Sequence, residues 1–129
     1  MPQSARPCRD IDLASLAAAA VDSNPSQGRT INVGSAEGVL LTVYATGAAA
    51  GAVGAVDFDF VLSPDGLIYD TEPFTTVTVT LSGTDTVQAS AYVPLAGAHS
   101  LQWSRVENTD AAVAANNLNA VAGVLWRAG

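Results

Sequence analysis

Val56-Asp57-Phe58-Asp59-Phe60-Val61-Leu62-Ser63 alternates with a period of two. Val56, Phe58, Phe60 and Leu62 share one face of an extended chain, and Asp57, Asp59 and Val61 share the other. A helix would scatter these side chains around its axis, so the pattern predicts a strand with one face on a core. Ser63-Pro64-Asp65-Gly66 follows as a tight turn. Proline presets its backbone angle, aspartate bonds nearby main chain, and glycine accepts a positive φ. Residues 67–69 then read as the return strand of a hairpin.

The same rhythm continues on both sides. Downstream, residues 75–81 place Val77, Val79 and Leu81 opposite Thr76, Thr78 and Thr80. Residues 82–85 turn the chain, 86–93 form a further strand, and 94–98 break it. Residues 101–107 and 118–127 close the domain as strands, and the polar, alanine-rich 108–117 between them has room for one helical turn. Upstream, 39–46 and 29–33 are strands separated by a turn at 35–38, and 22–28 is a turn cluster. Residues 13–21 are ambiguous: Ala17-Ala18-Ala19-Ala20 favours a helix by propensity, whereas the flanking pattern favours a strand of small residues. Residues 1–12, with Pro2 and Pro7, read as an extended arm ahead of a single domain over 13–129. Eight or nine short strands with turns roughly every ten residues predict an all-β fold, an antiparallel β-sandwich of jelly-roll or immunoglobulin-like type.

The composition narrows the function. Apolar residues make up 49% of the 129 and charged residues 13%, about half the usual share. So few charges imply that part of the surface is covered in an assembly. The formal net charge is −7, lysine is absent, and the five basic residues are all arginine. Phosphate backbones call for a basic patch, so nucleic acid is excluded as a partner class, and anionic membrane surfaces are disfavoured in the same way. No apolar run approaches the ~18 residues of a membrane-spanning helix. The single cysteine, Cys8, has no internal disulfide partner.

Candidates for chemistry are sparse. His99 is the sole histidine and sits beside Ser100; neighbours on a strand point apart, so the two make no preformed dyad. One cysteine and one histidine cannot build a zinc site. Asp57, Asp59, Asp65 and Asp70 are oxygen donors suited to calcium, but Asp57 and Asp59 are first the solvent half of a strand. These two lie about 7 Å apart along the strand, a spacing that glycoside hydrolysis also uses and that sheets commonly produce. Residues 47–54 are almost wholly glycine and alanine and lack the lysine of a phosphate-binding loop. They read as a flexible loop, exposed or docked on a partner. Sugar binding would need exposed aromatic platforms; Tyr44, Tyr69, Tyr92, Trp103 and Trp126 are the candidates. The tryptophans are expected in the core, and Tyr69, just after the turn, is the one expected at the surface. The expectation is no catalytic residue, no metal and no cofactor.

The order of these signals resembles small structural proteins of tailed bacteriophages. Its carriers are Ser63-Pro64-Asp65-Gly66 followed by Tyr69, the threonine-rich strands, Leu95-Ala96-Gly97 leading into Leu101-Gln102-Trp103, and Val106-Glu107-Asn108 before a last apolar strand. They span about residues 30–126. This chain departs from such proteins in Tyr69, where tryptophan is frequent, and in its Gly/Ala loop. The resemblance implies a non-enzymatic capsid decoration or cement protein, a homotrimer bound to the major capsid protein on the virion exterior. A tail or baseplate sandwich and a carbohydrate-binding module are the alternatives. On physical grounds the contact residues are sought in the arm, at Arg6, Cys8 and Arg9, and in the loop, at Ala48, Ala49, Ala50, Gly51 and Gly54.

Overall fold

The computed structural model describes residues 4–26, 30–34, 36–65, 68–70, 73–95 and 98–126, with backbone alone over 4–12. Among the described residues nine strands are formed: β1 (Ser4–Leu16), β2 (Val21–Asp22), β3 (Ile31–Asn32), β4 (Ala36–Gly47), β5 (Ala55–Ser63), β6 (Thr75–Thr80), β7 (Thr86–Pro94), β8 (Ser100–Asn108) and β9 (Ala115–Trp126). They make two antiparallel sheets. One has the order β1-β9-β4-β7, and the other runs β2-β8-β5-β6, with β3 also pairing β8. The molecule is an antiparallel β-sandwich, as the alternation predicts, and among the described residues there is no helix.

The core lies between the sheets. β4 supplies Val39, Leu41 and Val43, β5 supplies Val56, Phe58 and Phe60, and β9 supplies Leu118, Ala120, Ala122 and Val124, all buried. Phe58 stacks on Trp103 of β8 with ring centroids 5.3 Å apart. Strict alternation along β8 would put Trp103 and Arg105 on one face. The register against β5 shifts between Asp59 and Phe60, which pair with Arg105 and Trp103. Ser104 is the extra residue of a β-bulge, and it lets the indole enter the core while the guanidinium faces out.

Several local expectations give way. Of the return strand expected from 67–69, the described residues 68 and 69 are not strand, and β5 pairs instead with β6 from Phe60↔Thr75. The long connection is pinned to β5 by Asp70 N–H to Leu62 O (3.2 Å) and Phe74 N–H to Phe60 O (2.7 Å). Asp65 does organise the turn, its Oδ1 accepting from Ser63 Oγ and Ile68 N–H at 3.0 Å each. The alanine run neither helixes nor extends. Ala20 N–H donates to Ala17 O, and Ala19 sits at φ 56° with its N–H on Asp110 O (2.9 Å). A tertiary anchor overrides alanine's propensity there. No helical turn forms between β8 and β9. The arm expected over 1–12 is extended from Ser4 onward as the first part of β1, pairing with β9 of its own chain. Residues 1–3, Arg29, Gly66, Leu67, Ala96, Gly97 and Arg127 lie outside the described residues.

Candidate interaction surface

The two outer faces of the sandwich differ in chemistry. On the β8-β5-β6 sheet the outward positions include the charged Asp57, Asp59, Arg105 and Glu107 among threonines. Arg105 Nη1 lies 3.3 Å from Asp59 Oδ2 and its Nη2 lies 3.2 Å from Glu107 Oε1. Thr76 donates to Asp59 and Thr78 to Asp57, both at 2.7 Å. Asp57 and Asp59 are thus satisfied by threonine hydroxyls and an arginine, while Asp65 closes its own turn. Among the described residues no group of three or more His, Cys, Asp or Glu side chains is arranged to hold a metal.

The β9-β4-β7 face carries no charged side chain from Gly38 to Thr46 or at the strand positions beside them. At one end it is polar, with Thr46 bonded to Thr86 (3.0 Å) and Thr42 to Ser90 (2.8 Å). At the other end it is apolar. Leu40 pairs with Tyr92 on one side and Gly123 on the other, with Leu125 one row further on. Leu40 is 42% and Tyr92 52% exposed, large values for such side chains. Glycine at 38 makes this possible, because a Cβ there would overlap the Tyr92 ring. The ring lies down across the strand instead of standing off it. Tyr92 is thus the exposed aromatic, where Tyr69 is the one expected at the surface. Tyr69 is half-buried with its hydroxyl buried and unpartnered, Trp103 is core, and Trp126 is half-buried, donating to Gly34 O at 3.1 Å.

The Gly/Ala loop is only partly a surface. Ala48, Ala49, Ala50 and Gly51 are exposed. Gly54 is half-buried and makes an internal contact. Val53 N–H and Gly54 N–H donate to Asp110 Oδ2 at 3.0 and 2.9 Å. The loop is held further by Ala48 N–H to Ala114 O (2.9 Å) and Gly83 N–H to Ala52 O (2.9 Å). The other Asp110 oxygen accepts from Ala112 N–H (2.9 Å) and Val113 N–H (3.0 Å). These main-chain donors, Ala112 first, then Val53, Gly54 and Val113, hold the Asp110 carboxyl well below the usual carboxylate range. Asp110 is not among the residues expected to matter; its one local signal is the Asn108-Thr109-Asp110 run between two strands. Asn108 is buried in the same knot, its side chain reaching Leu16 O, Ala17 O and Val113 O.

Of the arm residues, the structure places Arg6 opposite Val124 and Cys8 opposite Ala122, and puts Arg9 within the register shift between Cys8 and Ile11. His99 and Ser100, expected to point apart, are hydrogen-bonded, Nδ1 to Oγ at 2.6 Å. His99 precedes the first residue of β8, so strand alternation does not govern it. Ser100 is buried.

No protein-family model matches the sequence, and neither does any curated protein. Solved structures match over the whole chain. A structure of infectious bursal disease virus, Gx strain, superposes with a TM-score of 0.54 at 8% identity, over 99% of this chain and 33% of that one. The Eiger TNF from S. frugiperda gives 0.53 at 11% identity, over 100% and 96%. The CBM36-1 domain of a multidomain xylanase from the hindgut metagenome of Trinervitermes trinervoides gives 0.51 at 10% identity, over 99% of both. At these identities the likeness establishes the sandwich fold alone.

Proposed function

We propose that this chain is a bacteriophage virion structural protein of the decoration or cement type, docking on the outside of the major capsid protein shell. It works by adding buried area at subunit junctions, with no catalytic step. The observation that carries this reading is the uncharged outer surface formed by β9, β4 and β7 within the four-stranded sheet, with Leu40 and Tyr92 exposed at its apolar end. On a chain of net charge −7, charge-free sheet surface is what a partner can cover without stranding ions. A specific contact of this kind covers on the order of 800 Å² per partner, and a ligand that binds only the assembled shell stabilises it by mass action. The exposed Ala48–Gly51 loop tip offers a second point of close main-chain approach.

The test is addition of purified chain to shells assembled from the major capsid protein of the same virus. Saturable co-sedimentation at a fixed ratio, with a higher rupture temperature, supports the proposal. Absence of binding at tens of micromolar overturns it.

A carbohydrate-binding role is the second reading, favoured by the flat, exposed Tyr92 ring beside Leu40. Oligosaccharide binding that disappears in Tyr92→Ala would select it.

A further inference from the structure

Among the described residues β7 ends its sheet, paired with β4 on one side. Leu95 N–H donates to Glu37 O at 3.0 Å. This phase repeats every second residue of an antiparallel ladder. Val87, Ala89, Ala91 and Val93 therefore turn their N–H and C=O toward β4, and Thr86, Gln88, Ser90 and Tyr92 turn theirs to the open edge. The Thr42–Ser90 and Thr46–Thr86 side-chain bonds have the same phase, since side chains approach closest at pairs that exchange no main-chain bonds.

Open edges are commonly protected by charge, bulges, proline or shortness. β1, at the opposite edge, contains Arg6, Arg9, Asp10 and Asp12 and a register shift. β2 and β3 are two residues each, and β6 is six. β7 is nine residues long with no charged residue, no register shift against β4 and no proline before its last position. Its inward positions also form a palindrome, Val87, Ala89, Ala91 and Val93 about Ser90. All four pack on the core yet stay only partly buried.

We infer that β7 is a strand-addition edge for a second copy of this chain, antiparallel and two-fold about Ser90. Ser90 then faces its own symmetry mate, Ala89 faces the partner's Ala91, and Val87 faces the partner's Val93. Each outward-facing pair exchanges two main-chain hydrogen bonds, about eight in all once Pro94 is allowed its missing N–H. The two four-stranded sheets run on as one, and the four half-buried apolar side chains become covered. Copies of net charge −7 repel one another in general, but this pairing sets no like charges face to face. The contact is independent of the proposed shell binding, and it is two-fold where the phage resemblance implies a trimer.

Sedimentation equilibrium at tens of micromolar tests it, with an expected mass twice the 13.1 kDa of one chain. In a Cys8→Ser background, Ser90→Cys is expected to oxidise to a linked dimer. A hydrogen-bonded antiparallel pair sets Cα atoms about 5.5 Å apart, inside the disulfide range. Gln88→Cys, about 14 Å from its symmetry mate, stays unlinked. Ser90→Lys is expected to sediment as a monomer while keeping a cooperative melting transition, its melting temperature losing the concentration dependence that dimerisation gives the wild type. A wild-type monomer or trimer, equal cross-linking at 88 and 90, or a dimer indifferent to Ser90→Lys would each overturn the inference.

Discussion

Gly54 and Asp110 are built around each other: the glycine N–H donates to the aspartate Oδ2 at 2.9 Å, and a Cβ on Gly54 would come within 2.5 Å of Asp110 Cα. The glycine is needed for closeness, since it carries no positive φ. Through Asp110 the Gly/Ala loop, Ala19 in the turn after β1 and the β8–β9 connection share one anchor.

Gly54→Ala is therefore expected to destabilise the fold. The methyl group must push the Asp110 main chain away, a rearrangement of the overpacking kind that costs about 1–3 kcal/mol. Thermal melting of the variant should fall by several degrees, whereas Gly51→Ala, where a Cβ meets nothing within 4 Å, should melt with the wild type.

Asp110→Asn keeps the shape and replaces one accepting oxygen by a donor, so it strands main-chain N–H groups on one side. Its melting temperature should fall at neutral pH. The folded carboxyl titrates well below its ordinary value of 3.8. Its contribution is thus complete above that value and drains away as the pH drops through it toward the folded pKa. Melting followed from about pH 5 to about pH 2 should show a steeper acid loss in the wild type than in Asp110→Asn.

Trp103 is fully buried, stacked on Phe58, with its indole N–H on Arg105 O at 3.1 Å. Trp103→Ala should cost about 3–5 kcal/mol, a large part of a domain's total. Denaturant midpoints measure it, and Trp103→Phe should lose less.

The architecture was legible because apolar and polar residues alternate along strands such as β5, β6 and β7, most clearly from Val56 to Leu62, with turn signals between them. The Gly/Ala loop was not. Low side-chain volume reads equally as slack or as close approach, and only Gly54 against Asp110 distinguishes them. Asp110 was hidden for a related reason, since its partners are main-chain groups of residues 53 and 54, which any sequence supplies. Tyr92 stood in an ordinary alternating strand, and its exposure depends on Gly38 across the ladder. Trp103 was placed correctly in the core, although the bulge at Ser104 that sends Arg105 outward has no sequence mark.

The Asp59–Arg105–Glu107 cluster is expected to matter little for stability. The Arg105 side chain is 40% exposed, and Asp59 keeps its Thr76 bond without it. Arg105→Gln should cost less than about 1 kcal/mol in denaturant melts, and less again in high salt.

The most direct measurement is binding to shells of the major capsid protein by variants of the two outer faces, each first confirmed as folded. Leu40→Asp, which plants a carboxylate in the uncharged face, should abolish co-sedimentation, and Glu107→Gln on the opposite sheet should leave it at the wild-type level. The reverse pattern, or equal binding by both, would contradict the assignment of the β9-β4-β7 face as the surface that is covered.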